Sequence, residues 1–135
     1  MRSALWPVQR AVYQRLTSHA PLMARVTGVL DDVPEGQPFP YVTLGEWTEI
    51  PVLAFGEDGS ETTLTLHVWS RYRGWKECNE IVALLNEALD DAELEVEGYR
   101  TVLVVYDSAT AIRDTDGVTR HMVVRYRLIL EEVEA

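Results

Sequence analysis

Basic residues are scarce in this sequence, in which 12 Lys and Arg stand against 22 Asp and Glu and give a formal net charge of −10. Proteins that grip nucleic acid neutralise its phosphates with Lys and Arg, so this balance argues against a DNA-gripping role. The same charge suits a surface along which DNA slides without sticking, because like charges repel at short range.

Cysteine and long apolar runs are scarce as well. The single cysteine, Cys78, excludes an internal disulfide and falls on the apolar face of a predicted helix, which favours a small buried side chain. Apolar stretches such as residues 102–105 are far shorter than the roughly 20 residues that cross a bilayer, so no membrane span is expected. Arg10 and Arg15 interrupt the apolar pattern of the N-terminal segment, which therefore lacks the pattern of a secretory signal.

Length and periodicity predict the fold class. A chain of 135 residues holds one hydrophobic core, so a single domain over residues 1–135 is expected. The order α-β-β-β-α-β-β predicts an α+β fold, with an antiparallel sheet of four to five strands and two main helices on one face. The predicted elements are a helix at 3–18 begun by a Ser3 cap, a helical turn at 22–26, strands at 29–31, 41–48 and 62–72, a helix at 74–89, and strands at 100–112 and 119–131.

The last two strands are predicted to form a hairpin around Asp116-Gly117, a common tight-turn signal. A two-residue turn there places apolar residues on both sides of the sheet, which predicts that a neighbouring subunit covers the side away from the helices. Arg125 and Arg127 on that side would pair with acidic groups of the neighbour. The facing pairs predicted for that side are Ile112 with His121, Thr110 with Val123, Ser108 with Arg125, Tyr106 with Arg127 and Val104 with Ile129, while Leu103, Val105, Met122, Val124, Tyr126, Leu128 and Leu130 form the predicted core side.

A long connecting loop is predicted over residues 50–61, with an apolar start and a Gly-rich second half. Apolar side chains on a loop either contact another chain or fold back onto their own core, and the sequence leaves both alternatives open. The predicted subunit-contact residues are Ile50, Val52, Leu53 and Phe55 of this loop together with Tyr106, Arg125 and Arg127 of the sheet.

Motifs that would carry chemistry are absent from the sequence. It contains no Gly-rich phosphate loop and no Gly-x-Ser-x-Gly elbow. His19, His67 and His121 lack the short spacings of zinc ligands, although His67 and His121 would meet on one sheet face if their strands were neighbours. We therefore predict no catalytic residue, no cofactor and no metal site.

Three stretches together resemble the tail-completion proteins of tailed bacteriophages, a family likened to tail terminators and tail-to-head joining proteins. Their order gives the resemblance its specificity: a Pro-rich loop leads to Pro-Tyr-Val, a strand ends in Val-Trp-Ser, and an Arg-Asp-x-Asp-Gly hairpin precedes an Arg-rich strand. The stretches are DDVPEGQPFPYVTLGE at 31–46, TLTLHVWSRYRGWKECNEI at 63–81 and RDTDGVTRHMVVRYR at 113–127.

The resemblance implies a structural virion protein that is not an enzyme. It would be assembled in the host cytoplasm and would form a ring, a hexamer, at the head-proximal end of the tail. Its partners would be further copies of itself, the tail tube protein and the head connector, and DNA would pass through the ring without specific binding. Within such a ring, the 50–55 loop of one subunit would meet the Tyr106, Arg125 and Arg127 face of the next.

Several alternatives stay open at this point. A head-completion or connector-stopper protein of the same particle would also be a small ring subunit. A small ligand-binding or enzymatic α+β domain would instead carry a pocket with converging polar groups. An antitoxin-like regulator is disfavoured by the lack of a basic surface. The particle itself could be an infectious phage, a remnant prophage or a gene transfer agent.

Overall fold

A five-stranded sheet with helices on one face forms the structure, a computed structural model that describes residues 2–52 and 58–133. The predicted α+β class and element order are confirmed. The elements are α1 (Leu5–Thr17), α2 (Ala20–Met23), β1 (Val29–Leu30), β2 (Tyr41–Pro51), β3 (Gly59–Ser70), α3 (Lys76–Leu89), β4 (Tyr99–Arg113) and β5 (Arg120–Glu132).

The strands lie in the order β1-β2-β3-β5-β4. Neighbouring strands are antiparallel except that β1 runs parallel to β2, so the sheet is mixed and not antiparallel throughout. In the described ranges, none of the helices combines the length and apolarity that a membrane span requires.

The core lies between the sheet and the two main helices. Period-two alternation directs the even-numbered side chains of β3 and β5 into it, and helical periodicity supplies the matching faces of α1 and α3. Cys78 is buried in this core as predicted, and burial, with a smaller contribution from the Glu77 charge, raises the pKa of its thiol to about 11. Fully buried members include Val8, Val12, Leu16, Leu64, Leu66, Ile81, Leu85, Leu89, Val124, Tyr126, Leu128 and Leu130.

The predicted bounds of several helices and strands were wrong. Ala4, not Ser3, is the N-cap of α1, although the Ser3 hydroxyl accepts a hydrogen bond from the Leu5 N–H at 3.3 Å. The predicted loop at 50–61 was too long, because β2 continues to Pro51 and β3 begins at Gly59. The backbone pairing of β2 with β3 therefore extends beyond the residues whose hydrophobic alternation predicted the strands.

The β4–β5 hairpin keeps the predicted register near its turn. Ile112 pairs with His121, and the next two predicted pairs are also confirmed. The connection itself spans residues 114–119 and is longer than the predicted two-residue turn. The Asp116 carboxylate stabilises it by accepting hydrogen bonds from the Thr119 hydroxyl and from the N–H groups of Thr119 and Val118, which lower the pKa of Asp116 to about 2.

A β-bulge at Asp107 makes the rest of the predicted register wrong. The extra residue shifts the pairing by one, so Tyr106 lies opposite Tyr126 instead of Arg127, and Val104 lies opposite Leu128 instead of Ile129. Val104 and Tyr106 consequently face the helices, and Val104 is buried. Leu103, predicted as core, is 38% exposed and pairs with Ile129 on the other face, where Val105, paired with Arg127, also lies.

Tyr126 of β5 connects the sheet to α3 through a hydrogen bond. Its buried hydroxyl donates a hydrogen bond to Asn86 Oδ1 at 2.6 Å. We expect Tyr126→Phe to lower the free energy of unfolding by about 1 to 2 kcal/mol, because Asn86 loses its partner in a buried site. Urea unfolding measures this difference. Tyr106→Phe is the control, with a change within about 0.5 kcal/mol, and equal effects of the two substitutions would contradict the assigned role of the Tyr126 hydroxyl.

Candidate assembly surface

The face of the sheet opposite the helices, here called the open face, carries the side chains that the fold leaves for other contacts. It mixes aromatic, aliphatic and charged groups, so it is more polar than the sequence predicted. Many of these side chains are half-buried, and Thr65 and Val123 are buried. Its members are Tyr41, Thr43, Glu46, Thr48, Ile50, Glu61, Thr63, Thr65, His67, Trp69, Leu103, Val105, Ser108, Thr110, Ile112, His121, Val123, Arg125, Arg127 and Ile129.

An aromatic row crosses one end of the open face. The Trp69 indole stacks on the His121 ring at a centroid distance of 3.8 Å and on Tyr41 at 6.5 Å. Phe39 extends the row, and the Arg71 guanidinium lies 4.5 Å over the Phe39 ring. Rings held side by side on three strands form a rigid, partly apolar platform of the kind enriched in protein contacts.

Two histidines meet beside this row. The sequence predicted that His67 and His121 would meet if their strands were neighbours. β3 and β5 are neighbours, and His67 Nδ1 lies 2.6 Å from His121 Nε2. The other ring nitrogen of His67 is 3.1 Å from Glu46 Oε1. Hydrogen bonds from its own backbone and from His67 lower the pKa of Glu46. Within the described residues no group of three or more His, Cys, Asp or Glu is placed to hold a metal ion.

Burial lowers the pKa of His121, and the charge of His67 lowers it further. The carboxylates of Asp114 and Glu46 oppose this shift more weakly. Two protonated rings at hydrogen-bonding distance would repel each other, so the contact requires at least one neutral imidazole. The pair is therefore sensitive to acid.

The predicted arginine and tyrosine candidates divide between the two faces. Arg125 and Arg127 lie on the open face, where Arg127 pairs with Asp107 at 3.4 Å and Glu61 at 3.5 Å. Arg125 has no ion pair within 4.0 Å among the residues that the structure describes. The prediction that Tyr106 shares this face was wrong, because the bulge turns its ring toward Tyr126, at a centroid distance of 5.8 Å.

The loop candidates are only partly described. Ile50 is 55% exposed on the last part of β2, and the Val52 N–H donates to the Gly59 carbonyl at 3.0 Å. Leu53 and Phe55 lie outside the described residues. Sequence reasoning missed the aromatic row, although the alternation of β3 already placed His67 and Trp69 on one side.

Clefts lie beside α1 and between residues 91–95 and β4. One cleft lies between α1 and residues 94–99. Two of its three charged side chains, Arg10 and Glu97, are paired with each other at 2.9 Å, and Glu95 is the third. Arg15 donates to the Ala88 carbonyl nearby at 2.8 Å. The paired Arg10 and Glu97 side chains leave little of their own polar capacity for a ligand.

Comparison with known proteins places the chain in a family. Residues 10–131 match the family described as Tail completion protein gp17. The chain belongs to this tail completion family. It is 32% identical to the Tail completion protein gp17 of Bacillus phage SPP1 over 123 residues, which cover 91% of each chain. The resemblance seen in the sequence is thereby confirmed.

Solved structures agree with this assignment. A chain from the virion of a native gene transfer agent particle superposes with a TM-score of 0.83 at 26% identity, covering 97% of this chain and 99% of that one. The structure of bacteriophage SPP1 gp17 superposes with a TM-score of 0.62 at 29% identity, covering 93% and 88%. This tail completion family member is accordingly a structural component of a tailed phage or phage-like particle.

The histidine pair predicts a pH dependence of stability. Unfolded His121 takes up a proton as the pH falls through about 6.5, whereas the folded side chain does so only at lower pH. The unfolded state then binds more protons, so the free energy of unfolding should fall between about pH 7.5 and about pH 5.5. Urea unfolding at both pH values should show a smaller fall in His121→Gln than in the parent. His19→Gln, outside the cluster, is the control, and an unchanged fall in His121→Gln would contradict this origin.

Proposed function

We propose that this tail completion protein closes into a ring, a hexamer, at the head-proximal end of the tail, where it terminates the tail tube and joins it to the head connector. The observation that carries the proposal is the open face, on which an aromatic row lies outside the helix-covered core together with Arg125, which has no ion pair among the described residues. A sheet with one covered face and one aromatic-rich face is suited to contact a further chain.

Contacts between copies follow from the same surface. Arg125 supplies a cation to a neighbour, while Ile50 and Val52 extend from the β2–β3 hairpin. We infer that Ile50, Val52, Leu53 and Phe55 of one subunit meet Arg125 and Arg127 of the next. Different patches meet in such a contact, which is the heterologous type that generates closed rings. Tyr106 takes no part in this face.

The net charge of −10 supports a channel for DNA. Repetition of an acidic chain around an axis produces a strongly negative ring, which repels phosphates at distances below the screening length of about 8 to 10 Å. DNA would therefore pass without specific binding. No enzymatic step is required for this function.

The partners proposed for the two rims of the ring are the tail tube protein and the head connector or stopper. The family match supports the tail-side position over the head-completion alternative, because the matched proteins carry the name tail completion. The finished ring would be part of the virion, after assembly in the host cytoplasm.

The mass of the purified protein tests this proposal. Light scattering over a concentration series, with and without tail tubes of the same particle, should reveal a species of six chains either alone or on tube ends. Electron microscopy of the tubes should show that species at one end only. A monomer at every concentration that also fails to bind tubes would overturn the proposed function.

A further inference from the structure

The backbone of β2 is covered on its outer edge over only part of its length. The Thr27 N–H donates to the Pro40 carbonyl at 2.8 Å, the Val42 N–H donates to the Gly28 carbonyl at 3.1 Å, and β1 pairs alongside. A bulge between Leu44 and Trp47 follows. Beyond it, over residues 47–51, no outer backbone hydrogen bond occurs among the described residues.

The outer edge of β4 is likewise covered over only part of its length. Its first half is capped by the end of α3, since the Asp91 N–H donates to the Val104 carbonyl at 2.9 Å and the Tyr106 N–H donates to Asp90 Oδ1 at 2.8 Å. After the Asp107 bulge, residues 109–113 have no such outer partner within the described ranges. The sheet therefore ends in two short open edges, one on each side.

Strand polarity makes these two edges complementary. The strands β2, β3, β5 and β4 alternate in direction, so β4 of one copy runs antiparallel to β2 of another copy that continues the sheet. Open edges left unpaired are a liability in soluble proteins. Because the two edges differ, their pairing is heterologous and propagates around a ring.

We propose that residues 47–51 of one copy pair with residues 109–113 of the next, so that a sheet continuous across each subunit contact closes the ring. This inference rests on the proposed ring. The open backbone edges of β2 and β4 would then hold the ring together.

Backbone direction restricts the register of this contact. Successive residues direct their N–H and C=O groups to alternate sides of a strand. The backbone N–H and C=O groups of Val104 and Tyr106 point away from β5, toward the outer edge. Across the Asp107 bulge, the same alternation directs the backbone groups of Ala109, Ala111 and Arg113 to the outer edge of β4. The same reasoning from Val42 makes Trp47, Glu49 and Pro51 the outward residues of β2.

Side-chain chemistry selects one register among those allowed. Pairing Glu49 with Ala111 brings Arg113 over the Trp47 ring and diagonally beside the Glu49 carboxylate. The same register places Ile50, which is 55% exposed, opposite Thr110, and Ile112, which is 44% exposed, opposite Thr48. Aliphatic and β-branched pairs of this kind stabilise antiparallel sheets.

The register also agrees with the proposed face contact. Val52 of one copy comes opposite Ser108 of the next, and Ser108 is the in-chain partner of Arg125. Val52 is thereby placed near Arg125. Pro51 lacks an N–H and so ends the donor row of this edge.

A cysteine cross-link tests the register. Residues 50 and 110 form a pair without backbone hydrogen bonds at this contact, where Cα atoms lie about 4.5 Å apart, within the range that a disulfide bridges. Mild oxidation of the Ile50→Cys, Thr110→Cys double variant should therefore give a ladder of covalent oligomers up to the closed ring on non-reducing gels. Within one chain the two positions are separated by β3 and β5 and cannot bond.

Matched controls separate the possible results. The parent chain, with its buried Cys78, should give no ladder, and the offset variant Ile50→Cys, Ala111→Cys should give only traces because its side chains point to opposite faces. A ladder from Ile50→Cys, Ser108→Cys in place of the matched pair would overturn the register. If light scattering shows rings but the matched cysteine pair gives no cross-link, the edge pairing is overturned and the proposed ring still stands. Absence of rings with and without tubes would overturn both proposals.

A proline substitution tests the backbone contact independently. Ala111→Pro removes an outward N–H while leaving the β4–β5 ladder complete, and Ala111→Val keeps that N–H. We expect the proline variant to raise the dissociation constant of the ring by about tenfold or more, with thermal unfolding of the monomer close to that of the valine variant. A ring of parental strength in Ala111→Pro would overturn the edge pairing.

Discussion

Burial of every second side chain of β5 is the constraint on which the rest of the structure depends. This strand lies between β3 and β4, and Val124, Tyr126, Leu128 and Leu130 are fully buried under the helices. Full burial of one such side chain contributes about 1.5 to 3 kcal/mol, so a slip by one residue would lose the core. The alternation that fills the core also fixes Arg125 and Arg127 on the open face.

Two of the three register shifts in the described ladders, the bulges at Asp107 and beside Gly45, then change which residues of β4 and β2 face the core. The Asp107 bulge returns Val104 to the core and removes Tyr106 from the open face. The bulge beside Gly45, whose φ of 109° suits glycine, performs the same adjustment on β2. Each bulge also marks the point where the outer edge of its strand changes from covered to open. Local irregularity in the ladder thus sets both the packing and the available backbone groups.

The parts of the fold that could be predicted are those with a strong period. The alternation of β3 and the apolar face of α3 gave correct elements, and the Asp-Gly turn gave the register near the hairpin end. The Asp107 bulge could not be predicted, because the apolar run before it, residues 102–105, has no polar alternation that would show a change of face. The histidine contact was predictable only as a condition, since it required the neighbouring positions of β3 and β5, which no local pattern specifies.

The candidate assembly surface also has features that could be predicted from the sequence and features that could not. Arg125 and Ile50 could be placed on the open face because charged and apolar groups are visible in a sequence, and their part in a subunit contact stays a prediction. Trp69 was missed because a tryptophan in a strand is equally typical of a core. Open backbone edges carry no residue signature at all, since they depend on which neighbours bond to them. Family resemblance identified the kind of particle without indicating any of these groups.

Short edges have a consequence for how a ring would assemble. Each open edge is limited by a bulge at one end and, on β2, by Pro51 at the other, so few backbone hydrogen bonds form per contact. Since one exposed hydrogen bond contributes only about 1 kcal/mol net, a pair of free subunits would be held weakly. Ring closure adds a final contact without the entropic cost of bringing in another subunit, and a tail tube that aligns the subunits would reduce that cost further. Edges of this length therefore favour a ring completed on its partner over extended sheets of free protein.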